Sequence, residues 1–282
     1  MHGTTLFSLL AAASSTLAAP SVLPRAPQCP IVFDGRIPVN TTPSTFDTLG
    51  LYNKDYVKGN NLTWSDILLF PNTASRFDGA NYTAVEVTIS DKSIFQKQNG
   101  FRRAGLQFMN DAADGPGGKG VKTLHWSVKQ DGARKLNLTH EYLNAWHETA
   151  DYSANQIQFQ AGSLIGKSNA DKNSFKILDR AGKQLWSTKM EMKKWQNFAV
   201  KLDYVNNQTT IYYSADARVL QKVAGPLAVD LSGQGQFQLG ILKKPMGTDD
   251  VVNSGYQSPN LNEGQIYGGV FLEDSANGCI SL

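Results

Sequence analysis

The chain has 282 residues with 27 basic against 24 acidic side chains, a net charge of only +3. So small an excess, with no block of like charge, argues against nucleic acid or an anionic membrane as a partner and suits a neutral ligand. Four histidines and two cysteines leave little material for a metal site, and neither a metal nor another cofactor is expected.

Residues 1–19 carry no acidic group, an apolar run over residues 6–13 and small residues ending at Ala18 or Ala19, the pattern of a secretory signal peptide. Residues 20–28 read as a short pro-segment or flexible N-terminus, and residues 29–282 as one domain. Beyond the leader no stretch approaches the roughly 20 apolar residues that span a bilayer. A secreted, extracellular monomer is expected, with no nucleic-acid or membrane partner.

Cys29 and Cys279 stand near the two ends of that domain. Export places them where disulfides persist, and an even count predicts that they pair, two free thiols being the alternative. On the chain-entropy model a bridge closing so long a loop stabilises by at most about 5 kcal/mol. Five Asn-x-Ser/Thr sequons, at Asn40, Asn61, Asn81, Asn137 and Asn207, are candidate glycan sites.

From residue 85 onward the hydrophobic period is two. Val85, Val87 and Ile89; Ile157, Phe159 and Ala161; Phe198, Val200, Leu202 and Tyr204; Ile211 and Tyr213; Phe237, Leu239 and Ile241; and Ile266, Val270 and Leu272 each mark one face of a strand. Turn signals rich in Gly, Asp and Asn separate them, at residues 114–118, 131–132, 180–182, 206–207 and 232–235. No segment holds a helical period, so the pattern is that of an all-β sandwich with short strands.

Within this pattern, residues 122–142 form two extended halves that each set apolar residues on one face and His125, Ser127 and Lys129, or Asn137, Thr139 and Glu141, on the other. Two such polar faces could line a wet groove. Glu141 has Trp126, His140, Tyr142, Trp146 and His147 as neighbours in sequence, with the amides Gln156, Gln158 and Gln160 close behind. Aromatic rings stack on the C–H faces of sugars, and carboxylates and amides take their hydroxyls. The alternative is that the tryptophans are core and the glutamines a hydrated surface. The phosphate-loop match at residues 161–168 opens no helix and reads as an ordinary loop. The near-zinc motif at residues 147–151 lacks its second histidine.

Eight ordered motifs carry a further signal: FDGRIP at residues 33–38, QNGFRRA at 98–104, KTLHWS at 122–127, LNLTHEY at 136–142, YSANQ at 152–156, SGQGQF at 232–237, NEGQIYGG at 262–269 and GCISL at 278–282. Through them the chain resembles the fungal glycoside hydrolase family 131, secreted β-glucanases. The resemblance implies a β-jelly-roll with an open groove, a β-glucan partner with β-1,3, β-1,6 or β-1,4 linkages, and hydrolysis by two carboxylates. One of the two falls on Glu141. The other directly follows FRRA, where this chain has Gly105. One carboxylic acid must protonate the leaving oxygen while a second activates water or attacks the sugar, so a missing partner removes several orders of magnitude in rate. Two readings therefore stand: a β-glucanase with Glu141 as catalytic residue, or a weakened enzyme or β-glucan-binding protein. A structural wall protein with no groove is a third. Strand-face arithmetic adds Arg103, His125, Gln158, Lys243 and Tyr267 as expected groove contacts.

Overall fold

The computed structural model describes residues 26–55 and 58–282. The expected signal peptide at residues 1–19, and residues 20–25 of the pro-segment, lie outside these. The described chain folds into sixteen strands. In order these are β1 (Ile31–Asp34), β2 (Ile37–Pro38), β3 (Leu68–Leu69), β4 (Tyr82–Thr83), β5 (Val85–Ser90), β6 (Arg102–Gln107), β7 (Val121–Gln130) and β8 (Glu141–Glu148). They continue with β9 (Asn155–Gly162), β10 (Ser174–Asp179), β11 (Gln184–Lys189), β12 (Gln196–Asp203), β13 (Gln208–Ala215), β14 (Gln221–Ala228), β15 (Gln236–Lys243) and β16 (Asn262–Asp274). No helix among the described residues is long and apolar enough to cross a membrane.

Two antiparallel sheets face each other in a jelly-roll sandwich. The eight-stranded sheet runs β14-β13-β12-β7-β16-β5-β3, with β1 also on β16, and the six-stranded sheet runs β11-β10-β9-β8-β15-β6. Alternation decides what lies between them. Leu124, Trp126, Val128, Phe198, Val200 and Leu202 point in from the larger sheet, and Tyr142, Phe159, Phe175, Phe237, Leu239 and Ile241 from the smaller, forming one core. Trp126 stacks on Phe198 at 5.4 Å and meets Phe159 edge-on at 5.2 Å, so it belongs to this core. Cys29 and Cys279 form a disulfide that joins the two ends of the domain, with a Cα separation of 5.8 Å.

Parity also corrects three expected contacts. β7, which holds the first half of residues 122–142, and β8, which begins at Glu141 in the second, lie in opposite sheets, so their outward faces point in opposite directions. His125 therefore faces away from the six-stranded sheet, fully buried, with its Nε2 2.8 Å from the Glu273 carboxylate and its ring stacked on Phe271. Tyr267, by contrast, turns inward, because β16 carries a register shift between Gly268 and Phe271, where Gly269 takes φ 57°. Such a bulge inserts one residue and reverses parity, so Ile266 and Val270 do not share a face. The Tyr267 hydroxyl donates to the carbonyls of Asn144 and Gly240 inside the sandwich. Lys243 keeps the inward parity of Phe237, Leu239 and Ile241, and its ammonium is buried against Glu263 at 2.7 Å.

At the other end of β15, the Phe237 amide donates to Asp111 Oδ2 at 2.7 Å, and the His147 ring packs on Phe237 at 4.3 Å. Burial pushes the Asp111 carboxyl up to about 7 and the His147 imidazole down to about 4. The folded state thus holds an extra proton on Asp111 between about pH 4 and 7, and stability is lost as pH rises through that window. For His147 the unfolded chain takes the proton first, so stability is lost as pH falls from about 6.5 to about 4. The two slopes oppose each other. Asp111→Asn should expose the histidine slope, with unfolding free energy rising by about 3 kcal/mol between pH 4 and 6.5. Denaturant midpoints across pH check this, and a variant curve parallel to the wild type rules it out.

Candidate functional site

The outward face of the six-stranded sheet forms the floor of a groove of about 610 Å³. Its floor residues are the outward-parity positions of three neighbouring strands: Arg103 and Gln107 on β6, Gln236, Gln238 and Leu242 on β15, and Leu143, Trp146 and Glu148 on β8. β8 has a register shift between Leu143 and Ala145, which is why Leu143 and Trp146, three apart, share this face. Phe95 and Phe101 come from the loop before β6, Val252 from the loop after β15, and the two loops are joined by the Gly100 amide bonding to the Val252 carbonyl at 2.8 Å. Gly100 is required at that seam, since a Cβ there would lie 2.2 Å from the Val251 carbonyl oxygen.

Among the described lining residues Glu148 is the one carboxylate. It accepts hydrogen bonds from the Gln238 amide and the Trp146 side chain. Gln238 in turn accepts from Arg103 Nη2 at 2.9 Å, which orients its amide so that the NH2 group meets Glu148. The Arg103 guanidinium sits between the rings of Phe95 and Trp146, at 5.2 and 5.8 Å. Burial raises the Glu148 carboxyl from its ordinary value, against the opposing pull of Arg103, Gln238 and Trp146. A carboxyl that burial makes hold its proton more tightly is better suited to donate it than a solvated one.

Glu141 shares this outward face at the far end of β8. Its carboxylate meets Lys244 Nζ at 2.5 Å and accepts the Ile165 amide at 2.7 Å, and the side chain is buried. Seven residues of extended chain place the Cα atoms of Glu141 and Glu148 roughly 20 Å apart, too far for the two side chains to lean to the roughly 5–9.5 Å between carboxyl groups that an acid and base pair requires. Residues 137–140 make a turn before β8, with the Asn137 amide bonded to Ser258, so Asn137 shares no strand face with Glu141. Arg103 lines the groove, and Gln158 lies on the same sheet face opposite Trp146, accepting from Gln160 at 3.0 Å. His125, Lys243 and Tyr267 are elsewhere, for the reasons of parity given above. The sequence pattern singled out neither Gln238 nor Lys244 and left Glu148 as one of five glutamates that could face a groove, although strict alternation from Phe237 and His147 puts all three outward.

An antiparallel sandwich whose open groove combines aromatic rings, amides and one desolvated carboxylate defines a carbohydrate-active β-jelly-roll protein. The chain belongs to glycoside hydrolase family 131: the family model for the "Glycoside hydrolase 131 catalytic N-terminal domain" matches residues 31–278. Its fold is similar to that of a family 131 β-glucanase catalytic domain from Podospora anserina, with a TM-score of 0.71 and 18% identity over 89% of this chain and 97% of that one. The family 131 catalytic domain from Coprinopsis cinerea is similar with a TM-score of 0.67 and 21% identity, over 87% and 94% of the two chains. No curated protein matches by sequence.

Proposed function

We propose that the protein is secreted, binds neutral β-glucan along this groove, and hydrolyses it weakly, with Glu148 in place of Glu141 as the proton-donating carboxyl. The observation that carries this reading is the composition of the lining: the rings of Phe95, Phe101 and Trp146, the amides of Gln107, Gln236 and Gln238, and Glu148 with no second acid among the described lining residues. Sugar stacking and hydroxyl recognition survive the loss of a catalytic partner, whereas two-carboxylate chemistry does not.

Laminarin-type or cellulosic glucan should bind the wild type and perturb its tryptophan fluorescence. Trp146→Ala should weaken that binding about tenfold or more, since a buried aromatic contributes on this scale. Titration calorimetry on both proteins, each checked for folding, measures it. Wild type that binds neither glucan, or a Trp146→Ala form that binds equally well, would sink the reading.

A further inference from the structure

Tyr152 is the most exposed aromatic residue at the rim of the groove, with 69% of its surface open to solvent, so its ring adds little to the core. It lines the groove next to Asn155, Gln236 and Glu148, at the end opposite Lys244. Its backbone takes φ 60°, a left-handed conformation that a bulky side chain adopts at a cost and that glycine or asparagine adopts readily.

The turn that imposes this conformation is firmly built. The Tyr152 amide bonds to the Thr149 carbonyl at 2.9 Å. The Asp151 carboxylate accepts from the Thr149 hydroxyl at 2.8 Å, the Ser153 hydroxyl at 2.7 Å and the Ser153 amide at 3.1 Å. The Ala150 amide ties the turn to the Gly233 carbonyl at 3.1 Å. A strained backbone therefore holds a ring in water, where packing returns nothing to the fold. Strain retained at a rim is explained when the presented group meets a ligand.

We infer that Tyr152 is an aromatic platform forming an additional sugar-binding subsite beyond Glu148, which takes the C–H face of a neutral pyranose and so favours longer glucan chains. This rests on the glucan reading of the groove. Phe95, Phe101 and Trp146 line the part of the groove around Arg103, so an oligosaccharide short enough to sit there never reaches Tyr152, while a longer one passes Glu148 and stacks on it.

Tyr152→Asn removes the ring and keeps a residue at home in the left-handed region. Binding of β-glucan oligosaccharides of increasing length to the full chain, together with Tm, tests the inference. The longest should bind the variant about tenfold more weakly, the shortest unchanged, with Tm equal to or above the wild type; Tyr152→Phe should keep wild-type affinity. The inference is overturned if the variant binds long oligosaccharides as the wild type does while Trp146→Ala does not, a result that leaves the groove reading intact. Uniform weakening at all lengths with a lowered Tm would assign Tyr152 a structural role and overturn it as well. Wild type that binds no oligosaccharide fails the glucan reading itself, and this inference with it.

Discussion

Gly105→Glu should raise glucan hydrolysis by about two to four orders of magnitude over the wild type, the range that one positioned acid or base contributes. Position 105 lies on β6 opposite Gly240 of β15, with the outward parity of Arg103 and Gln107. Glu148 pairs with Gln236 on the other side of β15, so two strand spacings and four residues of extended chain separate positions 105 and 148, roughly 16 Å between Cα atoms. Two glutamate side chains leaning toward each other close that gap to the 6.5–9.5 Å that leaves room for an attacking water, which makes inversion at the anomeric carbon the expected outcome. Glu148→Gln in the Gly105→Glu background should return the rate to wild type, and Glu141→Gln should leave most of it. Reducing-sugar release and the configuration of the first product, followed by NMR, measure both. Position 105 stands about as far from Glu141 as from Glu148, so loss of activity on Glu141→Gln alone would move the acid to Glu141 and the reacting sugar toward Lys244.

Lys243→Ala should destabilise the fold by about 3–5 kcal/mol, the usual consequence of stripping one partner from a buried pair. The ammonium is fully buried, Glu263 Oε1 lies 2.7 Å from it, and the Tyr142 hydroxyl donates to the other carboxylate oxygen at 2.7 Å. Removing the cation leaves a carboxylate between two sheets with one hydroxyl donor, so Tm should fall by about 10 °C. Lys243→Met combined with Glu263→Leu should recover most of the loss, because it removes both charges and keeps the volume. Glucan affinity of the folded single variant should match the wild type. The opposite pattern, unchanged Tm with lost affinity, would return Lys243 to the groove.

Much of the sandwich is legible in the sequence, because period two states which side chains of a strand share a face. Phe237, Leu239 and Ile241 point inward as expected, and so do Phe198, Val200 and Leu202. Lys243 shows the limit of polarity as a guide: the same count that buried Ile241 buries Lys243, and its charge is met by Glu263 inside. A polar residue at an inward position reads as an exposed one until its partner, twenty residues away in sequence, is seen.

The residues of this chain by themselves determined an all-β architecture, the pairing of Cys29 with Cys279, the inward faces of most strands and, through eight ordered motifs, the family. Only tertiary structure decided which of two outward faces is the groove, since alternation is identical on both sheets and nothing local in β7 or β8 tells which sheet each joins. It also decided where parity breaks, at Asn144 on β8 and near Gly269 on β16, because a bulge forms against the partner strand's register. Those two facts, sheet membership and bulge position, moved His125 and Tyr267 out of the site and brought Glu148 into it.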